Sequence, residues 1–256
     1  MFDEVGKLVN VAPEIYTDAF KPAAQESGKT VALIPRAINA ALVPLRQWIA
    51  QKEYNLAETE KMLAKKLEHV GEDKIVTPEP YVAVPAIQAI SYAMNSEELR
   101  NLYANLLAKS MVLDTKNSVH PSFVEIIKQM SPTDATVFKI IMKAQLKPII
   151  NLKIMSSEFT SIPAQNNCSW IQEFPIEECA PSFDNLIRLG LIEANTAVYY
   201  NQEDIYDKVI LNPLFQALES QLSAMLKGED KLCHEKGLIK INDFSILFYN
   251  LCVVDP

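Results

Sequence analysis

The residues of this 256-residue chain best suited to bond-making chemistry are few and scattered. His120 has Asp114 and Glu125 near it, the outline of an imidazole base with carboxylate neighbours that would serve a hydrolase or nuclease. The same His120-Pro121-Ser122 string also reads as a loop entering a helix, where the imidazole hydrogen-bonds to backbone, and that reading needs no cleft. Cys233-His234 offers two metal ligands, but no second pair stands at finger-like spacing. Cys168, Cys179, Cys233 and Cys252 lie far apart with no CxxC pair, so they read as reduced, partly buried thiols. Glu97-Glu98 and Glu177-Glu178 are adjacent carboxylates, which diverge around a helix instead of converging on a substrate; they read as helix-start or surface charges. His69 reads as a solvated residue near a helix end. No GxSxG, HExxH or Walker string is present, and six glycines are too few for a phosphate-cradling backbone. No catalytic, cofactor-binding or metal-binding residue is assigned.

The elements that would have to position such residues are mostly helical. Leu99, Leu102, Tyr103 and Leu106, then Phe123, Ile126, Ile127 and Met130, then Val137, Phe138, Ile141 and Met142 each follow three-to-four spacing. Each set has its own start signal. Ser96 precedes Glu97 and Glu98; Ser122 with Glu125 reads as a capping box; Ser131-Pro132 opens the next helix with an oxygen acceptor and a residue that lacks an N–H. Upstream, Val31, Ile34, Ile38, Leu42, Leu45 and Ile49 form one stripe, which Pro44 should kink, and Leu56, Leu63, Leu67 and Val70 form another. Gly71 to Pro80 reads as a surface connection between helices.

Beyond Gln145 the period changes. Lys147–Ile154 has the β-branched content of a short strand, and a polar stretch runs from there to Trp170. Pro181–Leu189 reads as a short helix ended by Gly190. Leu191–Glu193 and Ala197–Tyr200 read as strands, and Asp207–Leu211 as a returning strand. Helix, glycine exit and hairpin together make a winged-helix pattern. A further helix carries Leu214, Phe215, Leu218, Leu222 and Met225, and Asn242 or Asp243 caps a last one bearing Phe244, Leu247, Phe248 and Leu251. The expected fold is therefore mostly α: a helical domain over residues 1–130 and a winged-helix-like α+β domain over 131–256.

Charge narrows the partners. Residues 1–130 carry 14 Lys+Arg against 16 Asp+Glu, a balance of −2, and residues 131–256 carry 10 against 16, a balance of −6. A module so acidic is unsuited to nucleic acid, whose non-specific affinity comes from cations that neutralise phosphates. The exception is Phe20 to Lys52, where Lys21, Lys29, Arg36, Arg46 and Lys52 stand against Glu26 alone, a balance of +4. With its apolar stripe and Trp48 this stretch is the candidate contact region, for a protein partner or for an anionic membrane surface, with Lys29, Arg36, Arg46, Trp48 and Lys52 as its contact residues. The acidic start at Asp3 and Glu4 does not read as a secretory signal, and the most apolar window, Val31 to Ala50, holds Pro35, Arg36, Asn39, Pro44, Arg46 and Gln47. The expected location is the cytoplasm, with peripheral contact at the inner membrane face as an option.

Two strings are recognisable, and the second, central one is the specific one. Tyr103-Ala104-Asn105-Leu106-Leu107-Ala108 and His120-Pro121-Ser122-Phe123-Val124-Glu125-Ile126-Ile127-Lys128-Gln129-Met130-Ser131-Pro132 resemble the Abi-alpha, or abortive-infection alpha, family of bacterial proteins. The similarity extends upstream through Pro22-Ala23-Ala24 and Ala41–Leu45, and downstream through Gly190-Leu191-Ile192 and Gly237 to Phe248. Asn242-Asp243-Phe244-Ser245 departs from the threonine-proline-phenylalanine-glycine-like pattern expected before the last helix. The resemblance implies a helical bacterial protein linked to phage resistance and transfers no catalytic residue. The expected function is accordingly a non-enzymatic interaction protein acting through protein–protein contacts, with self-association a further option. The alternatives are a membrane-perturbing toxic effector that uses residues 20–52 and a hydrolase or nuclease centred on His120.

Overall fold

The structure, a computed structural model, describes residues 53–93, 95–156 and 160–256. The stripe over Val31 to Ile49 and the contact residues Lys29, Arg36, Arg46, Trp48 and Lys52 lie outside the described residues. The described chain is mostly helical, with one four-stranded antiparallel sheet in its C-terminal part. It divides into two compact units, one running to Gln129 and taking up Asn250–Pro256 again at the end, the other spanning Met130–Tyr249.

The first unit contains α1 (Glu53–Lys66), α2 (Pro80–Tyr92), α3 (Glu97–Ser110) and α4 (Ser122–Lys128). α3 is its axis. Leu102 to Ala108 are buried without a break, which a helix tolerates only when neighbours cover it on several sides, and α1, α2 and α4 all pack against it. Leu63 and Leu67 from the first helix, Ala83, Ala86 and Ile90 from the second, and Phe123 and Ile127 from the fourth complete the core. Asn105 sits inside this apolar set at 2% exposure, and its side-chain N–H donates to the Cys252 carbonyl at 3.0 Å. That carbonyl belongs to a π-helical turn, Tyr249–Val253. The start of α3 follows the capping rule: Ser96 Oγ accepts from Leu99 N at 3.3 Å, and Glu97 and Glu98 occupy the first turn.

The second unit holds α5 (Pro132–Lys143), β1 (Pro148–Met155), β2 (Ser161–Ser169), α6 (Ile176–Arg188), β3 (Glu193–Asn195), α7 (Asp204–Ile210), α8 (Pro213–Met225), β4 (Lys231–Lys240) and α9 (Asp243–Phe248). The sheet order is β2-β1-β4-β3, with every pairing antiparallel. Ile150 and Leu152 on the central strand pack with Cys168, Ile176, Ala180, Tyr206, Val209 and Phe215 into one buried cluster. Phe138 meets Phe248 edge to face at 5.5 Å between ring centres.

Several expectations change. The polar stretch after β1 is β2, a strand that nine residues poor in β-formers adopt because β1 supplies the ladder. Its Pro163 is tolerable since β2 lies at the sheet edge, where one side of the strand has no N–H to donate inward. The helix expected over Pro181–Leu189 starts at Ile176 and carries Pro181 within it, so Glu177 and Glu178 do occupy a first turn. Asp207–Leu211 is no returning strand. Ile205, Tyr206 and Val209 are the buried residues there, at one- and four-residue spacing, and they bury one face of α7. Among the described residues Ala197–Tyr200 form no strand, and the three-residue β3 pairs with β4 instead of folding back as a wing. Gly190 does end α6, at φ 72°.

Candidate functional site

His120 is exposed, and its Nδ1 is already occupied: Ser122 N donates to it at 3.1 Å and Ser122 Oγ lies 2.6 Å away. An Nδ1 that accepts from a backbone N–H keeps the ring proton on Nε2, so the imidazole serves the first turn of α4. The helix cap is Pro121, not Ser122, and the expected Ser122–Glu125 capping box does not form. The two carboxylates beside His120 in sequence are engaged elsewhere. Asp114 accepts from Lys74 at 2.7 Å, and Glu125 from Lys128 at 2.7 Å. Proximity in sequence therefore does not become a catalytic constellation here.

His234 has a different setting. Its Nε2 is 2.6 Å from Glu219 Oε1, and its ring meets Phe215 edge to face at 5.5 Å, which ties β4 to α8. Cys233, its neighbour, is half-buried on the opposite face of the strand, so the adjacent pair cannot converge on one ion. Among the described residues no group of three or more His, Cys, Asp or Glu side chains is placed to hold a metal ion. On that opposite face Lys153 pairs with Glu235, Asn151 donates to Glu235 at 3.2 Å, and Asn167 N donates to Asn151 Oδ1 at 2.9 Å. The Lys153 ammonium beside Glu235 holds its carboxyl below the usual range. Cys168 and Cys179 are pushed up to about 12 and about 11 by burial, so both are thiols and poor nucleophiles at neutral pH.

A shallow, open cleft lies where α5 and α6 pack together, with a volume of about 490 Å³. Its α5 wall is Ser131, Thr133 and Asp134; its α6 wall includes Glu177, Glu178, Ser182 and Asn185. The α5 wall is built by a reciprocal cap. Ser131 Oγ accepts from Asp134 N at 3.1 Å, while Asp134 Oδ2 accepts from Ser131 N at 2.6 Å and from Asn185 Nδ2 at 2.8 Å. Arg188 in turn holds Asn185 Oδ1 through Nε at 3.1 Å and Nη2 at 2.7 Å. The cleft is thus bridged by the Asp134–Asn185 hydrogen bond and carries three carboxylates, with no cation among its lining residues. Glu177 and Glu178 diverge along α6 as adjacent residues must, yet both border the opening because α5 closes the far side. Ser131-Pro132 was legible as a helix start, and the Ser131-to-Asp134 spacing is the signal that could have located this wall. Asn185 and Ser182 had no sequence signal.

A family model described as abortive infection alpha matches residues 51–252. No curated protein and no solved structure matches the chain.

Proposed function

The chain belongs to the abortive infection alpha family, and from that premise we propose that it is a phage-defence protein that works by contact with a protein partner and not by catalysis. The observation that supports this reading is the employment of the ionisable groups around the specific central string: His120 serves the start of α4, Asp114 holds Lys74, and Glu125 holds Lys128. Nucleophilic or general-base chemistry needs an activated pair within hydrogen-bond reach, and these residues are committed elsewhere. Its location is the cytoplasm in this reading; no helix among the described residues is long and apolar enough to cross a membrane. The test is phage plating on cells with and without the protein. The parent chain and His120→Ala protect equally if contact is the mechanism; loss of protection in a His120→Ala chain that is still folded at the plating temperature overturns it.

A membrane-perturbing effector is the second reading, favoured by the balance of +4 over residues 20–52. It requires the full chain to float with anionic vesicles at low salt, and Arg36→Glu with Arg46→Glu to abolish that flotation together with growth arrest on overexpression. Equal recovery with neutral and anionic vesicles removes it.

A further inference from the structure

We infer that the cleft between α5 and α6 is a docking socket for an arginine- or lysine-bearing segment of the partner protein, an inference that rests on the contact reading above. Two exposed carboxylates, Glu177 and Glu178, stand at its mouth. Deeper in it is Ser182, only 3% exposed, whose hydroxyl lines the cleft and has no hydrogen-bond partner among the described residues. A serine on a helix ordinarily returns its hydroxyl to a carbonyl of the preceding turn. Without a protein partner and still reached from the cleft, its hydroxyl is a polar group that a ligand can bind. Asp134 adds to this. It is 4% exposed, and both hydrogen bonds shown for its carboxylate fall on Oδ2, so Oδ1 is left with an open acceptor site among the described residues.

The lining therefore offers a hydroxyl together with the carboxylates of Asp134, Glu177 and Glu178. A group with several N–H donors and a positive charge matches this set: a guanidinium above all, an ammonium next. The positive end of α5 does not oppose such a ligand, because Asp134 already neutralises it and Ser131 caps it. The cleft is open and shallow, which suits one or two side chains of a docked segment better than an enclosed small molecule. The acidity of the C-terminal part, read from sequence only as unsuited to nucleic acid, has a positive use here: it draws in a basic partner and orients it.

The experiment is a titration of the full, isotope-labelled chain with a blocked tetrapeptide, Ala-Arg-Arg-Ala, followed by amide shifts. Ala-Gln-Gln-Ala and spermidine are titrated in parallel. The expected result is that shifts concentrate at Thr133, Glu178 and Ser182 with the arginine peptide and are absent with the glutamine peptide. Glu177→Gln with Glu178→Gln should weaken binding about tenfold, and Ser182→Ala about threefold, as exposed ion pairs and one hydrogen bond would. The charge-matched control Asp204→Asn with Asp207→Asn, on α7, should leave it unchanged. Shifts spread over the acidic surface, equal loss in that control, or spermidine binding as tightly at the same amides would overturn the inference. A chain that binds the peptide in this way but gives no protection against phage keeps the inference and overturns the function; one that protects while its Glu177→Gln, Glu178→Gln variant binds as the parent does overturns the inference alone.

Discussion

Replacing His120 with alanine should lower stability by about 1 kcal/mol, because the Ser122 N–H then loses its acceptor at a helix start. Asp114→Asn, which breaks an exposed pair with Lys74, should change it by less than about 0.5 kcal/mol. Urea midpoints of the two variants check the ranking, and the reverse order would mean that His120 contributes nothing to α4. The thiols make a second residue-scale prediction. Cys168 and Cys179 ionise near their ordinary value of 9.0 when unfolded, but only at about 12 and about 11 in the fold. For a group whose folded pKa is raised, the stabilisation is whole below the unfolded value and is lost as pH rises through the folded one. The denaturation midpoint should therefore fall as pH rises from about 9 towards 11, and fall less in Cys168→Ala, Cys179→Ala. Iodoacetamide at pH 8 should modify Cys233, which is half-buried, well before Cys168, Cys179 and Cys252.

Element by element, the helix starts are the strongest local constraints. Asp134→Ala removes the reciprocal cap of α5 and the acceptor for Asn185 together, and should cost about 2 kcal/mol by thermal or urea unfolding. Asp134→Asn, which keeps acceptor oxygen and shape, should recover most of that. On the sheet, a Cβ at Gly237 would stand 2.6 Å from the Asn195 carbonyl oxygen, a backbone atom that cannot swing aside. Gly237→Ala should therefore open the β3–β4 pairing and cost about 1–3 kcal/mol, visible as faster amide exchange at Asn195 and Leu238, while Ile239, whose N–H donates to the Lys147 carbonyl, is spared. A melting temperature equal to that of the parent would show that β3 gives way without loss. These elements also explain what the chain's pattern misreported. α7 carries β-branched residues but buries them at helical spacing, and β2 is polar yet extended because its partner strand supplies the hydrogen bonds.

At the scale of the molecule, the chain end returns to the unit where the described chain begins. Leu251 and Cys252 are buried at 3% and 0% exposure, Cys252 O takes the Asn105 amide, and Asp255 pairs with Lys66 at 2.6 Å. Truncation after Tyr249 should leave Asn105 unpaired in an apolar interior and uncover its neighbours. Faster amide exchange over α3, and a lower melting temperature, are the expected readouts; unchanged protection of Leu106 and Leu107 would show that the last seven residues are dispensable. The family match, residues 51–252, takes in parts of both units.

What the amino-acid order determined by itself was local: the helical periodicities, the starts at Ser96, Ser131 and Asn242, the glycine exit at Gly190, the strand over β1 and the imidazole of His120 turned to its own helix. Each depends on residues within four positions of one another, so the interaction is encoded where it occurs. The tertiary structure alone decided that β2 is a strand, that β3 pairs with β4, that Asp134 reaches Asn185 across 51 positions, and that Ser182, without a hydrogen-bond partner among the described residues, shares a cleft with Glu177 and Glu178. Those outcomes depend on which surfaces meet, and no local spacing records that, because pairing partners and cleft walls are set by the packing of elements far apart along the chain.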